Sequence, residues 1–96
     1  MNEVAVEIIQ EYIQENLFKP ALSWDSCEFE KRSYSHWAAN EILNRVMDHP
    51  MDDPLDVVEN FIFEMAMYAR YGENEHRGFI FHTAAETAIE IALLIN

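Results

Sequence analysis

The sequence predicts an all-α fold, a compact bundle of four helices with the third helix central. Apolar residues recur at helical spacing in four segments, near residues 3–18, 26–48, 54–71 and 79–95. Strand-like alternation is confined to the short run GFIFHT at 78–83, the one place where a strand is conceivable. The third segment, PLDVVENFIFEMAMYARY, is apolar most of the way round. Leu55, Val58, Ile62, Met65, Ala66 and Ala69 form one stripe, Val57, Phe61 and Tyr68 a second, and Phe63 with Met67 a third. Only Asp56, Glu59, Asn60, Glu64 and Arg70 are left for water, so this helix needs neighbours on several sides. Asp53 before Pro54 supplies an N-cap and a first-turn proline, and Gly72 stands where a left-handed residue stops a helix.

The first segment, 3–18, places Ala5, Ile8, Ile9, Tyr12, Ile13 and Leu17 on one face. Its opposite face carries Glu3, Glu7, Glu11 and Glu15 at successive i, i+4 positions, about 6 Å apart along the axis. No Lys or Arg interrupts this row, which weakens the helix by a few tenths of a kcal/mol per pair. Lys19-Pro20 ends it, because proline disfavours helical geometry in the residue before it. Asp25 with Glu28 is a capping-box-like pair that opens the second helix, with Trp24 placed as a hydrophobic staple to Phe29.

From Ser26 to Asp48 the inward positions are Phe29, His36, Ala39, Ile42, Leu43, Val46 and Met47, with Trp37 at the edge. Glu28, Lys31, Arg32, Glu41 and Arg45 are spaced for ordinary intrahelical ion pairs. The turn that follows holds Asp48, Asp52 and Asp53, and with Asp56 and Glu59 it is the densest acidic patch of the chain. After Gly72 the polar run GENEHRG reads as a mobile loop. The fourth helix then carries Phe81, Ala84, Ala85, Ala88, Ile91, Ala92 and Ile95 on one stripe, whose small residues favour a close approach to the third helix. Glu86 and Glu90 form an acidic pair on its outer face.

At 96 residues, half of them hydrophobic, the chain has the length and apolar content of a single helical domain, 1–96. Its one cysteine, Cys27, has no intramolecular partner, and there is no basic, apolar signal-like start, so a cytoplasmic location is expected. The most apolar run, TAIEIALLI, is broken by Glu90 and is short for a bilayer. Eighteen Asp and Glu against six Lys and Arg give a formal charge of −12, which disfavours direct binding to nucleic acid or to anionic membrane and favours basic partners.

Chemistry is not signalled. Cys27, His36, His49, His76 and His82 are scattered without the spacing of a nucleophile and its base, so no enzyme and no cofactor are expected. His36 beside Trp37 reads as a packed residue rather than a catalytic pair. No zinc spacing links the histidines to each other or to Cys27, and Pro50 with the missing glycine breaks any calcium-loop pattern in the acidic turn.

The run EFEKRSYSHWAANEIL, followed by a proline-bracketed acidic turn and the PLDVVENFIFEMAMYA helix, resembles small acidic helical proteins of phages and mobile genetic elements in Gram-positive bacteria. The likeness spans most of the chain after Trp24 and carries over no catalytic or binding residue. What it implies is context: such elements often encode compact acidic inhibitors of host defence, anti-CRISPR proteins among them. The functional expectation is therefore an acidic interaction module. Glu3, Glu7, Glu11 and Glu15, or Asp48, Asp52, Asp53 and Asp56, would occupy a basic groove that normally holds nucleic acid. The alternative is a homodimeric structural or regulatory helical protein whose acidity serves solubility, because Phe18, Phe63, Met67, Tyr71 and Phe79 exceed what four short helices readily hide.

Overall fold

A computed structural model describes residues 3–17, 26–71 and 75–96, with side chains at 3–15, 30–71 and 78–96. Phe18, the proposed cap formed by Trp24, Asp25, Glu28 and Phe29, the Cys27 and His76 side chains and the Gly72 stop lie outside these described residues. The described residues form an all-α structure: α1 (Glu3–Tyr12) runs on through a π-helical segment (Ile13–Leu17), followed by α2 (Ser26–Asp48), α3 (Pro54–Tyr71) and α4 (Glu75–Ile95).

The start of α3 follows its sequence signals. The Leu55 amide, which has no partner inside the helix, donates to Asp53 Oδ1 at 3.0 Å, and the Val57 amide makes the first helical bond to the Asp53 carbonyl at 3.1 Å, so the aspartate is the N-cap. As expected, α3 packs against both α2 and α4, and its contact with α4 is the most extensive between any two helices. The fourth helix in turn touches α1, α2 and α3. The buried core is drawn from every helix: Ala5, Ile9, Tyr12 and Ile13 from the first, Ala38, Ala39, Ile42 and Val46 from α2, Val57, Val58, Phe61 and Met65 from α3, and Ala84, Ala85, Ala88 and Ile91 from α4.

Two stripes of α3 are covered over much of their length; the third is not. The molecule measures 39 × 34 × 19 Å, so it is only about two helix layers thick, and a helix in such a slab keeps one side to solvent. Phe63 and Met67 face outward, together with Tyr68 and Tyr71. Met47, read as inward from α2, is also exposed, and Ala38 takes a buried position in its helix instead.

The run GFIFHT is helical, and α4 starts at Glu75, ahead of the expected 79, so 75–78 belong to a helix rather than a loop. Packing overrides the glycine here. Phe79 sets its ring edge-on to Tyr34 of α2 with centroids 5.9 Å apart, and Phe81 meets Tyr68 of α3 at 5.2 Å. These anchors hold both flanks of the first turns in helical register. The longer helix also has a consequence for hydropathy, since Gly78–Ile95 is long and apolar enough by length and composition to cross a membrane. In the fold, every residue from Thr83 to Ala88 except Glu86 is buried.

Gly78 requires neither left-handed backbone nor extra room, since no described glycine has positive φ and a Cβ there would sit an ordinary 3.8 Å from the Ala69 carbonyl oxygen. Replacing it should therefore remove backbone entropy from the unfolded chain without strain. Gly78→Ala is expected to raise unfolding stability by about 0.5–1 kcal/mol, read as a higher urea midpoint at unchanged slope.

Candidate functional site

Glu3, Glu7, Glu11 and Glu15 are all solvent-exposed on the side of the first helix opposite Ala5, Ile9 and Ile13. None of the four makes an ion pair among the described residues. Three stand on α1 and Glu15 on the π-helical segment, where winding to i, i+5 hydrogen bonds widens the turn beneath it. The row is thus a set of exposed carboxylates without an ion pair among the described residues, on a helix that is anchored from behind.

That anchor is polar as well as apolar. The buried Tyr12 hydroxyl donates to Glu90 Oε2 of α4 at 2.5 Å, a short charge-assisted bond. It also lies against the Thr87 hydroxyl, and Thr87 Oγ1 stands 2.9 Å from Ser35 Oγ of α2 and 3.0 Å from the Thr83 carbonyl. One line of polar groups therefore joins α1, α4 and α2. Burial, reinforced by the hydrogen bond and the charge of Glu90, pushes the Tyr12 hydroxyl well above its ordinary pKa of 10.0.

The second acidic group is differently employed. Asp48, Asp52, Asp53 and Asp56 are all exposed, but the turn uses two of them for its own structure. Asp53 is the N-cap of α3, and Asp52 Oδ2 lies 3.6 Å from His49 Nδ1 while its amide donates to the His49 carbonyl at 3.1 Å. Asp56 falls in the first turn of α3, where the helix dipole favours a negative charge. Asp48 closes α2 and Asp56 opens α3, while the two aspartates between them are spent on the structure of the turn.

Arg45 and Lys31 are tied across helices. Arg45 of α2 makes a forked pair with Glu64 of α3 at 3.0 and 3.4 Å, holds Glu41 at 3.3 Å, and lies 5.0 Å from the centroid of the Phe61 ring. The Glu64 hydrogen bond, foremost among these, raises the Arg45 pKa further. Glu86 receives Lys31 at 3.8 Å and His82 at 3.0 Å, and Glu90 receives Tyr12, so the outer pair on α4 is partnered. His36 is half-buried, and the Asn40 side-chain amide donates to its backbone carbonyl at 2.9 Å. No cluster of three or more metal-ligating side chains occurs among the described residues.

A third surface was only partly legible in the sequence. Phe63, Ala66, Met67, Arg70 and Tyr71 line an open groove of about 330 Å³ on α3. It shares Ala66 and Arg70 with a neighbouring groove of about 430 Å³ that runs on to Ile62, Ala69 and, on α4, His82, Ala85, Glu86 and Ile89. The apolar surplus of α3 and the exposed Ile89 of α4 are therefore one continuous face. The signal for the α4 half was the run TAIEIALLI, which is apolar on more than the one stripe a core needs.

No family model, curated protein or solved structure matches the chain. The elevated Tyr12 pKa gives a sign for pH dependence. Because the folded state holds this proton more tightly than the unfolded chain, its contribution is fully present below about pH 10 and is lost as pH rises beyond it. Urea unfolding of wild type should thus fall off more steeply above pH 10 than that of Tyr12→Phe, which should itself be less stable by about 1 kcal/mol at pH 7.

Proposed function

We propose that the protein is a small cytoplasmic interaction module. In this reading the carboxylates of Glu3, Glu7, Glu11 and Glu15 occupy a basic groove on a nucleic-acid-binding protein, in the manner of a phage or mobile-element inhibitor of host defence. The observation that carries the reading is the row itself: four exposed glutamates on one helix face, none ion-paired among the described residues. On α1, repetition every fourth residue sets Glu3, Glu7 and Glu11 about 6 Å apart along the axis, comparable to the through-space interval between phosphates on a nucleic-acid strand, and Glu15 follows on the wider π-helical turn. A helix tied down through Tyr12 presents those charges with little loss of freedom on binding, which favours affinity. Asp48, Asp52 and Asp56 add to the long-range field that draws a basic partner, while Asp53 is committed to its cap. Such a role is binding rather than catalysis and calls on no cofactor.

Long-range attraction of this kind is screened by salt. A pull-down from host lysate is therefore expected to retain a nucleic-acid-binding protein on the wild type at low salt and to lose it at high salt. Glu7→Lys with Glu11→Lys should abolish capture, whereas Asp52→Lys should weaken it modestly. Equal retention of that partner by all three proteins would contradict the reading.

A further inference from the structure

The two grooves make one face of Phe63, Met67 and Tyr71 on α3 with Ile89 on α4, and Leu93, exposed one helical turn beyond Ile89, extends it; the face is apolar, exposed and unlike the rest of the surface in charge. Phe63 is 68% exposed, Tyr71 71% and Leu93 72%, although side chains of this type normally lose most of their surface to a core. The five together present on the order of 700 Å² of accessible area, close to the roughly 800 Å² per partner of a standard interface before Ala66 and the Arg70 stem are added. Within the two grooves the charged groups are Arg70 and the His82–Glu86 pair at 3.0 Å, so the local charge is close to zero on a chain of net −12.

We propose that this face binds the same face of a second copy of the chain about a twofold axis near Met67. Charge selects the occupant. A basic partner is drawn to carboxylates, which this face has in least supply; a second copy, carrying the same −12, is repelled everywhere except where local charge vanishes. The order of charges along α3 also fits itself in reverse. Asp56 and Glu59 lie in its first half and Arg70 in its last turn, so antiparallel pairing turns Arg70 toward the acidic first half of the second copy's α3 while Glu64 stays with Arg45. The same axis places Phe63 on the second copy's Tyr71 and Met67 on its equivalent, as a self-complementary interface requires. The face is separate from the Glu3, Glu7, Glu11 and Glu15 row on α1, so the dimer stands or falls independently of the reading above, and each dimer would present two such rows.

Sedimentation equilibrium across a concentration series tests this, at salt from about 50 to about 500 mM. The wild type should approach twice the 11.3 kDa chain mass, with association strengthening as salt screens the repulsion, opposite in sign to the salt effect on a basic partner. Met67→Glu and Leu93→Glu, on different helices and at exposed positions, should each weaken the dimer by about a hundredfold or more with unchanged helical circular dichroism. Val4→Glu, exposed on α1 away from this face, should leave it intact. A wild type that stays monomeric at millimolar concentration and high salt overturns the proposal, and the face then belongs to a foreign apolar partner or a lipid surface. A dimer that survives both Met67→Glu and Leu93→Glu overturns it equally.

Discussion

The bundle depends on how closely its other helices can approach α4. Ala84 and Ala88 are fully buried, Ala85 nearly so, and the flanking Thr83 and Thr87 are buried as well. Residues this small let α3 and α2 come in close, and the larger Ile91, Phe61, Ile42 and Ile9 then fill the spaces beside them. The threonines accommodate burial because their hydroxyls have partners near at hand; Thr87 finds the Thr83 carbonyl within its own helix and Ser35 across the α2 interface. Beyond this joint the helices are also held by directional ties. Arg45 to Glu64 joins α2 to α3, and Tyr12 to Glu90 joins α1 to α4.

With four short helices around so narrow a joint, the result is a slab rather than a rounded bundle, and a slab has two broad faces. The chain has treated its surfaces differently. The exposed side of the first helix is lined by carboxylates without counter-ions among the described residues, while the outer side of the α3–α4 pair is apolar with its few charges balanced. Salt acts on these in opposite senses, weakening attraction to a basic partner on one and relieving self-repulsion on the other. A protein that both dimerises and binds a basic groove would therefore separate the two activities by ionic strength alone.

How much of this could be read from the sequence follows from the range of the interactions involved. Helical periodicity is local, so α2 and α3 fall where their patterns and the Asp53-Pro54 cap put them, and the alanine stripe of α4 is buried as its spacing requires. The start of α4 was misread because glycine was weighed as a breaker, whereas the ring contacts of Phe79 with Tyr34 and of Phe81 with Tyr68 come from other helices and outweigh a local preference. Exposure of the glutamate row was legible from the face it shares. The employment of Asp52 with His49, of Glu90 with Tyr12 and of Glu86 with His82 and Lys31 was not, because which carboxylates stay free is decided by where each side chain lands after folding. The same holds for Arg45 and Glu64, nineteen positions apart, which no helical spacing rule pairs.

The most direct test of this account enlarges the joint itself. Ala88→Leu adds three carbons at a site with no exposed surface between α4 and its neighbours, while Ile89→Leu changes shape one residue away on the exposed side of the same helix. Measured by urea unfolding, Ala88→Leu is predicted to lose about 1–3 kcal/mol or more through overpacking, and Ile89→Leu to stay within about 0.5 kcal/mol of wild type. A wild-type midpoint for Ala88→Leu would contradict the central role assigned to the small-residue stripe of α4.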